Sequence, residues 1–356
     1  MFSLALVFNS IALYGCSDDN SSGTNANAHH YAPNQKSDTD DKTDSSKEAS
    51  PTEDPNQEFL QKKEAFETAS VTRIKTQKQV VKTVKLKWKK VEEATGYEIY
   101  RSRKKNSGYQ LLDTVTSQKY TDKRVKQRKE YYYKIKAVTS INNENVSSKE
   151  SKSVKIYVLP EKPKTVIIGE CFAVAMERER RRMPSYFHYV GRAGMSTYTM
   201  LSNNEFNYNG TRINAFEKAA TYRPDRIIFF VGANYSGSID PAKSAALFLK
   251  MKKMMNNLNP HVQFVIMAVS PWKKNSRYGR ILASHDKRHR INSAYKKVAK
   301  KNKDLYYCNL TEKMEDRNGD LRYEFNSGDG LHWSNTARYW MVNNLKKWCK
   351  KHLGSW

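Results

Sequence analysis

Three rhythms of apolar and polar positions succeed one another along the chain. Residues 1–15 are apolar except for Ser3, Asn9 and Ser10, and residues 17–58 then contain almost no large apolar side chain. Between about 70 and 158 the apolar positions alternate. Val84, Leu86 and Trp88 point one way with lysines between them, and 131–137 repeats the pattern. Period-two segments at 84–88, 97–100, 109–115, 131–137 and 153–158, separated by turn-rich gaps, predict an all-β antiparallel sandwich of immunoglobulin-like form. Beyond the linker 159–163 the rhythm changes again. Unbroken apolar runs at 165–168, 187–190, 226–231, 263–269 and 305–308 are interleaved with helical stretches at 172–183, 241–257, 286–301 and 335–352. Buried strands alternating with helices predict an α/β domain with a parallel sheet and right-handed crossovers.

In such a sheet the chemistry collects just past the carboxyl ends of the strands. That rule selects Gly169-Glu170-Cys171, the stretch 191–196, Gly232-Ala233-Asn234, and Gly328-Asp329-Gly330-Leu331-His332-Trp333. Each is punctuated by glycine, where backbone has to approach a ligand closely. The expected organisation is therefore an export signal at 1–16, an acidic disordered tether at 17–69, a sandwich at 70–160 and an α/β domain at 164–356.

Charge sharpens this division. The first 60 residues hold ten acids against three lysines, a balance of −7, so the remaining residues must carry +34 of the chain's net +27. So basic a pair of domains attracts polyanions, either nucleic acid or anionic cell-wall polymers and acidic glycans. A lysine-rich solvated surface without a partner is the plain alternative. No nucleic-acid recognition motif is present and an exported chain would not meet nucleic acid, which favours the glycans. The four cysteines, Cys16, Cys171, Cys308 and Cys349, show no metal-ligand spacing, so neither a zinc site nor a cofactor is expected. Cys308 and Cys349 read as core residues, with a disulfide between them left open.

Two stretches carry family resemblances. Trp88, the run Gly96-Tyr97-Glu98-Ile99-Tyr100-Arg101-Ser102, and Tyr131-x-x-x-Ile135-x-Ala137 resemble a fibronectin type III domain, with Tyr131 at the tyrosine corner. The resemblance implies a spacer or a binding module. From about 164 to 352, Gly232-x-Asn234 and Asp329-x-x-His332, in this order on these element ends, resemble the SGNH or GDSL-type hydrolases. That resemblance implies a flavodoxin-like three-layer α/β fold and ester chemistry. Glu170 and Cys171 stand where the family has an aspartate and a nucleophilic serine. The implied triad is Cys171 as nucleophile, its thiol acidified by a helix N-terminus, His332 as general base and Asp329 as its orienting carboxylate. The implied oxyanion donors are the N–H groups of Cys171 and Gly194 and the side-chain amide of Asn234. Gly191 competes with Gly194 for this role, and Ser196 competes with Cys171. Tyr235 and Trp333 are candidates to stack on a sugar, Trp272 for a substrate wall, and the arginines at 178 and 180–182 for contact with an acidic glycan.

Leu13-Tyr14-Gly15-Cys16 resembles the bacterial lipobox, which implies a lipid on Cys16. These readings converge on an esterase or acyltransferase at the outer face of the cell membrane, lipid-anchored or secreted. Its expected partner is O-acylated polysaccharide or peptidoglycan, with membrane contact only through the N-terminal lipid. The competing expectation is an inactive SGNH-like domain that binds cell-wall glycan.

Overall fold

The computed structural model describes residues 55–77, 79–234 and 236–356. The expected signal at 1–16, the lipidation of Cys16, most of the tether and Tyr235 lie outside the described residues.

The last part of the expected tether is ordered. Helix α1 (Pro55–Thr68) opens on a proline, which suits a first turn whose N–H groups lack partners. It continues through strong helix formers and buries Phe66 in the sandwich core. Lys63 pairs with Glu144 and fixes the helix to the sandwich. Composition placed residues 55–69 in the tether because they are polar. A single apolar anchor at Phe66 is what decides otherwise.

The sandwich contains β1 (Gln79–Val80), β2 (Val84–Lys87), β3 (Gly96–Ser102), β4 (Gln110–Val115), β5 (Lys119–Asp122), β6 (Lys129–Ile141), β7 (Glu144–Ser147) and β8 (Val154–Val158). One sheet runs β1-β8-β6-β3-β4 with β7 paired to β6, and β2 pairs with β5 in the other. Strand β6 alternates buried and half-buried side chains along most of its length, as the period-two pattern required. Trp88 meets Tyr97 edge to face at 5.3 Å in the core. The Tyr131 hydroxyl accepts the Lys126 N–H at 2.8 Å, the upstream backbone bond of a tyrosine corner. Asp122 is fully buried and satisfied by Arg101 at 2.7 Å, the Tyr133 hydroxyl at 2.8 Å and the Arg124 N–H at 2.8 Å.

The α/β domain follows with β9 (Thr165–Gly169), α2 (Cys171–Arg178), β10 (Phe187–Gly191), α3 (Thr199–Ser202), β11 (Phe206–Tyr208), β12 (Thr211–Ile213), α4 (Ala215–Thr221), β13 (Arg226–Phe230), α5 (Pro241–Asn256), β14 (Gln263–Met267), α6 (His285–Lys301), β15 (Leu305–Cys308) and α7 (Asn335–Leu353). The five-stranded sheet is wholly parallel in the order β10-β9-β13-β14-β15. This is the doubly wound flavodoxin-like order, with the direction of winding reversing between β9 and β13. Strands β9, β13 and β14 are buried at every position, which is why they read as unbroken apolar runs. Helix α6 buries Arg288, Ile291, Asn292, Tyr295 and Ala299, one helical stripe, and leaves its lysines outside. The hairpin β11–β12 and helix α4 were not expected. A capping box between Asn214 and Glu217 starts α4.

The two domains touch at the amino ends of the parallel strands. Asp225, just before β13, takes two hydrogen bonds from the Arg128 guanidinium at 3.0 and 2.8 Å and one from the Lys164 N–H at 2.8 Å. His261, just before β14, stacks on Tyr157 at 3.7 Å and bonds Glu130 at 2.7 Å.

Candidate active site

The carboxyl end of β9 sets the first part of the site. Gly169 has φ +145°, and a Cβ there would lie 2.0 Å from the Phe230 carbonyl oxygen, so only glycine allows β9 and β13 to end side by side. Glu170 then occupies the N-cap position of α2 without capping it. Its carboxylate crosses the switch point instead, accepting the Ala233 N–H at 3.1 Å, the Asn234 N–H at 2.9 Å and the Asn234 side-chain amide at 2.7 Å. The group is 1% exposed. Burial pushes its carboxyl up to about 7, and the donors of Asn234, Ala233 and Gly232 only partly oppose the rise.

Cys171 is the first residue of α2 and is partly buried. Burial and the neighbouring Glu170 push its thiol up. The N–H groups of Phe172 and Cys171 at the helix start pull the other way and do not prevail. The helix N-terminus therefore acts in the expected direction but loses to desolvation, and Cys171 rests as a thiol.

Between β10 and α3, Gly194 adopts φ +80°, and a Cβ at this position would meet nothing within 4 Å. The residue is exposed, and its N–H has no partner among the described residues. Gly191 has a different task. A Cβ on it would sit 3.0 Å from Val174, so it lets β10 pack against α2. The Asn234 amide spends one proton on Glu170 and the other on the Met195 carbonyl at 3.3 Å, so its donors are engaged in the resting site.

The last part is the loop before α7. Asp329 Oδ1 accepts the N–H groups of Leu331 and His332 at 2.9 and 2.8 Å, while Oδ2 lies 2.5 Å from His332 Nδ1. Burial alone would raise the Asp329 carboxyl, but these three donors overcome it and hold the group at about 2. A carboxylate on Nδ1 selects the tautomer with its proton on that nitrogen and leaves Nε2 as the basic atom. Among the described residues no hydrogen bond joins His332 to Cys171. The structure thus brings Asp329 and His332 together, and brings Glu170 and Asn234 together. It places Cys171 and Gly194 on neighbouring strand ends.

Several weaker candidates have structural roles instead. Trp333 is 2% exposed, donates to Ser270 at 2.9 Å and packs on Phe172 at 4.8 Å, so it is core and presents no face to a sugar. Trp272 is equally buried beneath the Arg288 guanidinium. Ser196 is buried and closes a turn with Thr199. Cys308 and Cys349 are buried free thiols. Sequence reasoning missed Tyr278, whose ring meets that of His332 edge-on at 5.4 Å. Nothing in the loop after β14 signals this, because the contact depends on how two distant loops fold together. No cluster of His, Cys, Asp and Glu suited to a metal occurs among the described residues.

The comparison with known families fits this geometry. Residues 174–337 match the model of the GDSL-like lipase/acylhydrolase family. The C-terminal domain thus carries a match to the GDSL-like lipase/acylhydrolase family. The match begins just past Cys171 and takes in Gly194, Asn234, Asp329 and His332. Solved structures similar to the GDSL-like domain include a GDSL-like lipase from Bacteroides thetaiotaomicron, 16% identical over 53% of this chain and 89% of that one, with a TM-score of 0.43. For the sandwich they include an Fn3-like protein from Clostridium thermocellum, 26% identical over 26% of this chain and 94% of that one, TM-score 0.22. A human fibronectin type III domain is 17% identical over 32% of this chain and 88% of that one, TM-score 0.25. A search of curated proteins found no match. The GDSL-like match supports chemistry of the esterase or acyltransferase type, and the β-rich region before it has fibronectin type III-like neighbours among solved structures.

Proposed function

We propose that the GDSL-like domain removes or transfers acyl groups on O-acylated carbohydrate or cell-wall polymer, using Cys171, His332 and Asp329. The enzyme would work at the outer face of the cell membrane, held there by a lipid on Cys16 or secreted. The observation that carries the mechanism is the Asp329–His332 pair, in which a carboxylate lies 2.5 Å from Nδ1 while Nε2 has no hydrogen-bond partner among the described residues. His332 Nε2 takes the thiol proton as the Cys171 sulfur attacks the acyl carbonyl carbon, and the C=O electron pair moves onto oxygen. The free N–H of Gly194 and the N–H of Cys171 face that oxyanion. The Asn234 amide joins them by giving up its long bond to the Met195 carbonyl, and each such donor is worth about 3–4 kcal/mol of barrier. When the tetrahedral intermediate collapses, the C–O bond breaks and the leaving alcohol takes the proton from His332, which leaves a thioester on Cys171. Water, or an acceptor hydroxyl, then gives its proton to Nε2 and attacks the thioester. The acyl group leaves as acid or new ester, and the thiol is restored.

One observation favours a second reading, glycan binding without turnover: the thiol is pushed up and makes no bond to His332. Intact mass after incubation with p-nitrophenyl acetate separates the two. An acetyl adduct that maps to Cys171 and is absent from His332→Ala supports catalysis. An unmodified Cys171 in the folded protein leaves binding alone.

A further inference from the structure

The loop joining β14 to α6 supplies what the family chemistry does not, a reading of the substrate. It is fastened to the site on both sides. The Lys273 N–H donates to the Gly330 carbonyl at 2.7 Å, and Tyr278 lies against His332 at 5.4 Å. Gly330 has no room for a side chain, since a Cβ there would be 2.3 Å from Ser276. At its far end the Ala283 N–H donates to the Ser236 hydroxyl at 2.9 Å, next to the turn that carries Asn234. The loop is also braced within itself. The Ser276 hydroxyl donates to the Lys273 carbonyl at 2.7 Å and accepts the Gly279 N–H at 3.0 Å.

On this braced loop Lys273, Lys274, Arg277 and Arg280 are all exposed. None of them forms a salt bridge among the described residues. Five arginines of the same domain are paired, Arg182 and Arg338 with Glu179, Arg192 with Glu205, Arg288 with Glu315 and Arg322 with Glu324, whereas these four cations, like Arg290 and Arg317, have no such partner among the described residues. Of the carboxylates that touch the loop or the site, Asp320 accepts the Lys274 N–H and Asp329 pairs with His332. Four exposed cations on one braced loop that reaches the general base, none of them in an ion pair, outnumber the two nearby carboxylates and favour a positive field at the mouth of the site. Arginine recognises carboxylate and phosphate through paired N–H donors, and lysine does so as a point charge.

We infer that the alcohol portion of the substrate is an anionic glycan, bearing carboxylate or phosphate groups that these four side chains hold while its ester lies at Cys171 and His332. The inference rests on the acyl-transfer reading above. A lipid surface is disfavoured because Ile281 is the loop's one fully protruding apolar side chain, at 74% exposure, where an interfacial face needs several. A nucleic acid is disfavoured because neither aromatic ring of the loop is available for stacking: Trp272 is buried and Tyr278 lies against His332.

The test uses the full chain and a variant with Lys273, Lys274, Arg277 and Arg280 changed to glutamine. A second variant with Lys346, Lys347, Lys350 and Lys351 changed to glutamine on α7 removes the same charge elsewhere. Acetylated polygalacturonate is compared with neutral acetylated dextran as substrate. The ratio of their kcat/KM values should fall by about 10-fold or more in the loop variant, through KM, and stay constant in the α7 variant. About 0.5 M salt should erase the preference of the native protein. Affinity electrophoresis through polygalacturonate, phosphomannan or unmodified dextran reads binding without turnover. Retardation by either anionic polymer that the loop variant loses supports the inference, and which polymer retards tells carboxylate from phosphate. This arm still decides if no ester is cleaved, in which case the acyl-transfer reading alone fails. An unchanged substrate ratio, equal retardation of both variants, or binding to phosphatidylglycerol vesicles in place of the glycans would overturn it.

Discussion

Changing Glu170 to glutamine tests the electrostatics of the site where they are most exposed to measurement. The carboxyl of Glu170 is pushed from 4.5 to about 7 by complete burial, against the pull of the Asn234 and Ala233 donors. Below pH 4.5 it is protonated in both folded and unfolded chains, and its contribution to stability is fully present. Between 4.5 and about 7 the unfolded chain has released the proton while the folded chain keeps it. Stability therefore drains away as pH rises through that window, and the loss is complete above it. A gap of this size corresponds to roughly 3 kcal/mol. Glutamine is neutral throughout and lacks the slope. It also puts an amide where two backbone donors point, at a constant cost on the order of 1–3 kcal/mol. Denaturant unfolding of both proteins from about pH 4 to 8.5, followed through the α/β domain, isolates the group because every other titration is shared. The native protein's advantage over Glu170→Gln should shrink by roughly 3 kcal/mol across the window. A difference that stays constant with pH would refute the claim that desolvation outweighs the three donors.

Other outcomes follow from the same geometry. Asp329→Asn removes the carboxylate that selects the His332 tautomer and should lower kcat on p-nitrophenyl acetate by about 10³-fold or more, with KM little changed. Gly169→Ala drives a Cβ to 2.0 Å from the Phe230 carbonyl and should cost about 4 kcal/mol in denaturant unfolding, or prevent folding. Gly194→Ala meets nothing and should cost only about 1 kcal/mol by thermal melting, the strain of φ +80° alone. Asp122→Ala in the sandwich leaves Arg101 and the Tyr133 hydroxyl without their shared acceptor, and calorimetry should show a loss of roughly 3 kcal/mol.

How much of this was legible in the sequence depended on the reach of the interactions. Val166 to Ile168 and Ile227 to Phe230 read as buried strands because burial on both faces leaves no polar positions to interrupt them. The strand ends then pointed to Gly169, Asn234 and His332 without any coordinates. The Asp329–His332 pair was legible too, since three residues of one tight loop suffice to make it. The Glu170–Asn234 lock was not. It joins residues 64 apart, and it turns the amide expected to face an oxyanion toward a buried carboxylate instead. Burial likewise reversed the expected acidity of Cys171, because a helix terminus can be read from sequence while the desolvation around it cannot. Trp333 looked like a sugar platform beside His332, yet its indole N–H faces inward to Ser270. Helix α1 escaped because one buried phenylalanine outweighed a polar composition.

The grip of Arg128 on Asp225, with Glu130 and Tyr157 on His261, has a mechanical consequence. Any pull arriving from the N-terminal side of the chain passes through the sandwich and enters the GDSL-like domain at the amino ends of the parallel strands, along the backbone into β9 and through Asp225 and His261 ahead of β13 and β14. Glu170, Asn234 and His332 lie past the opposite, carboxyl ends of the strands, so the contacts at Asp225 and His261 share the load with β9 at the edge farthest from the reacting atoms.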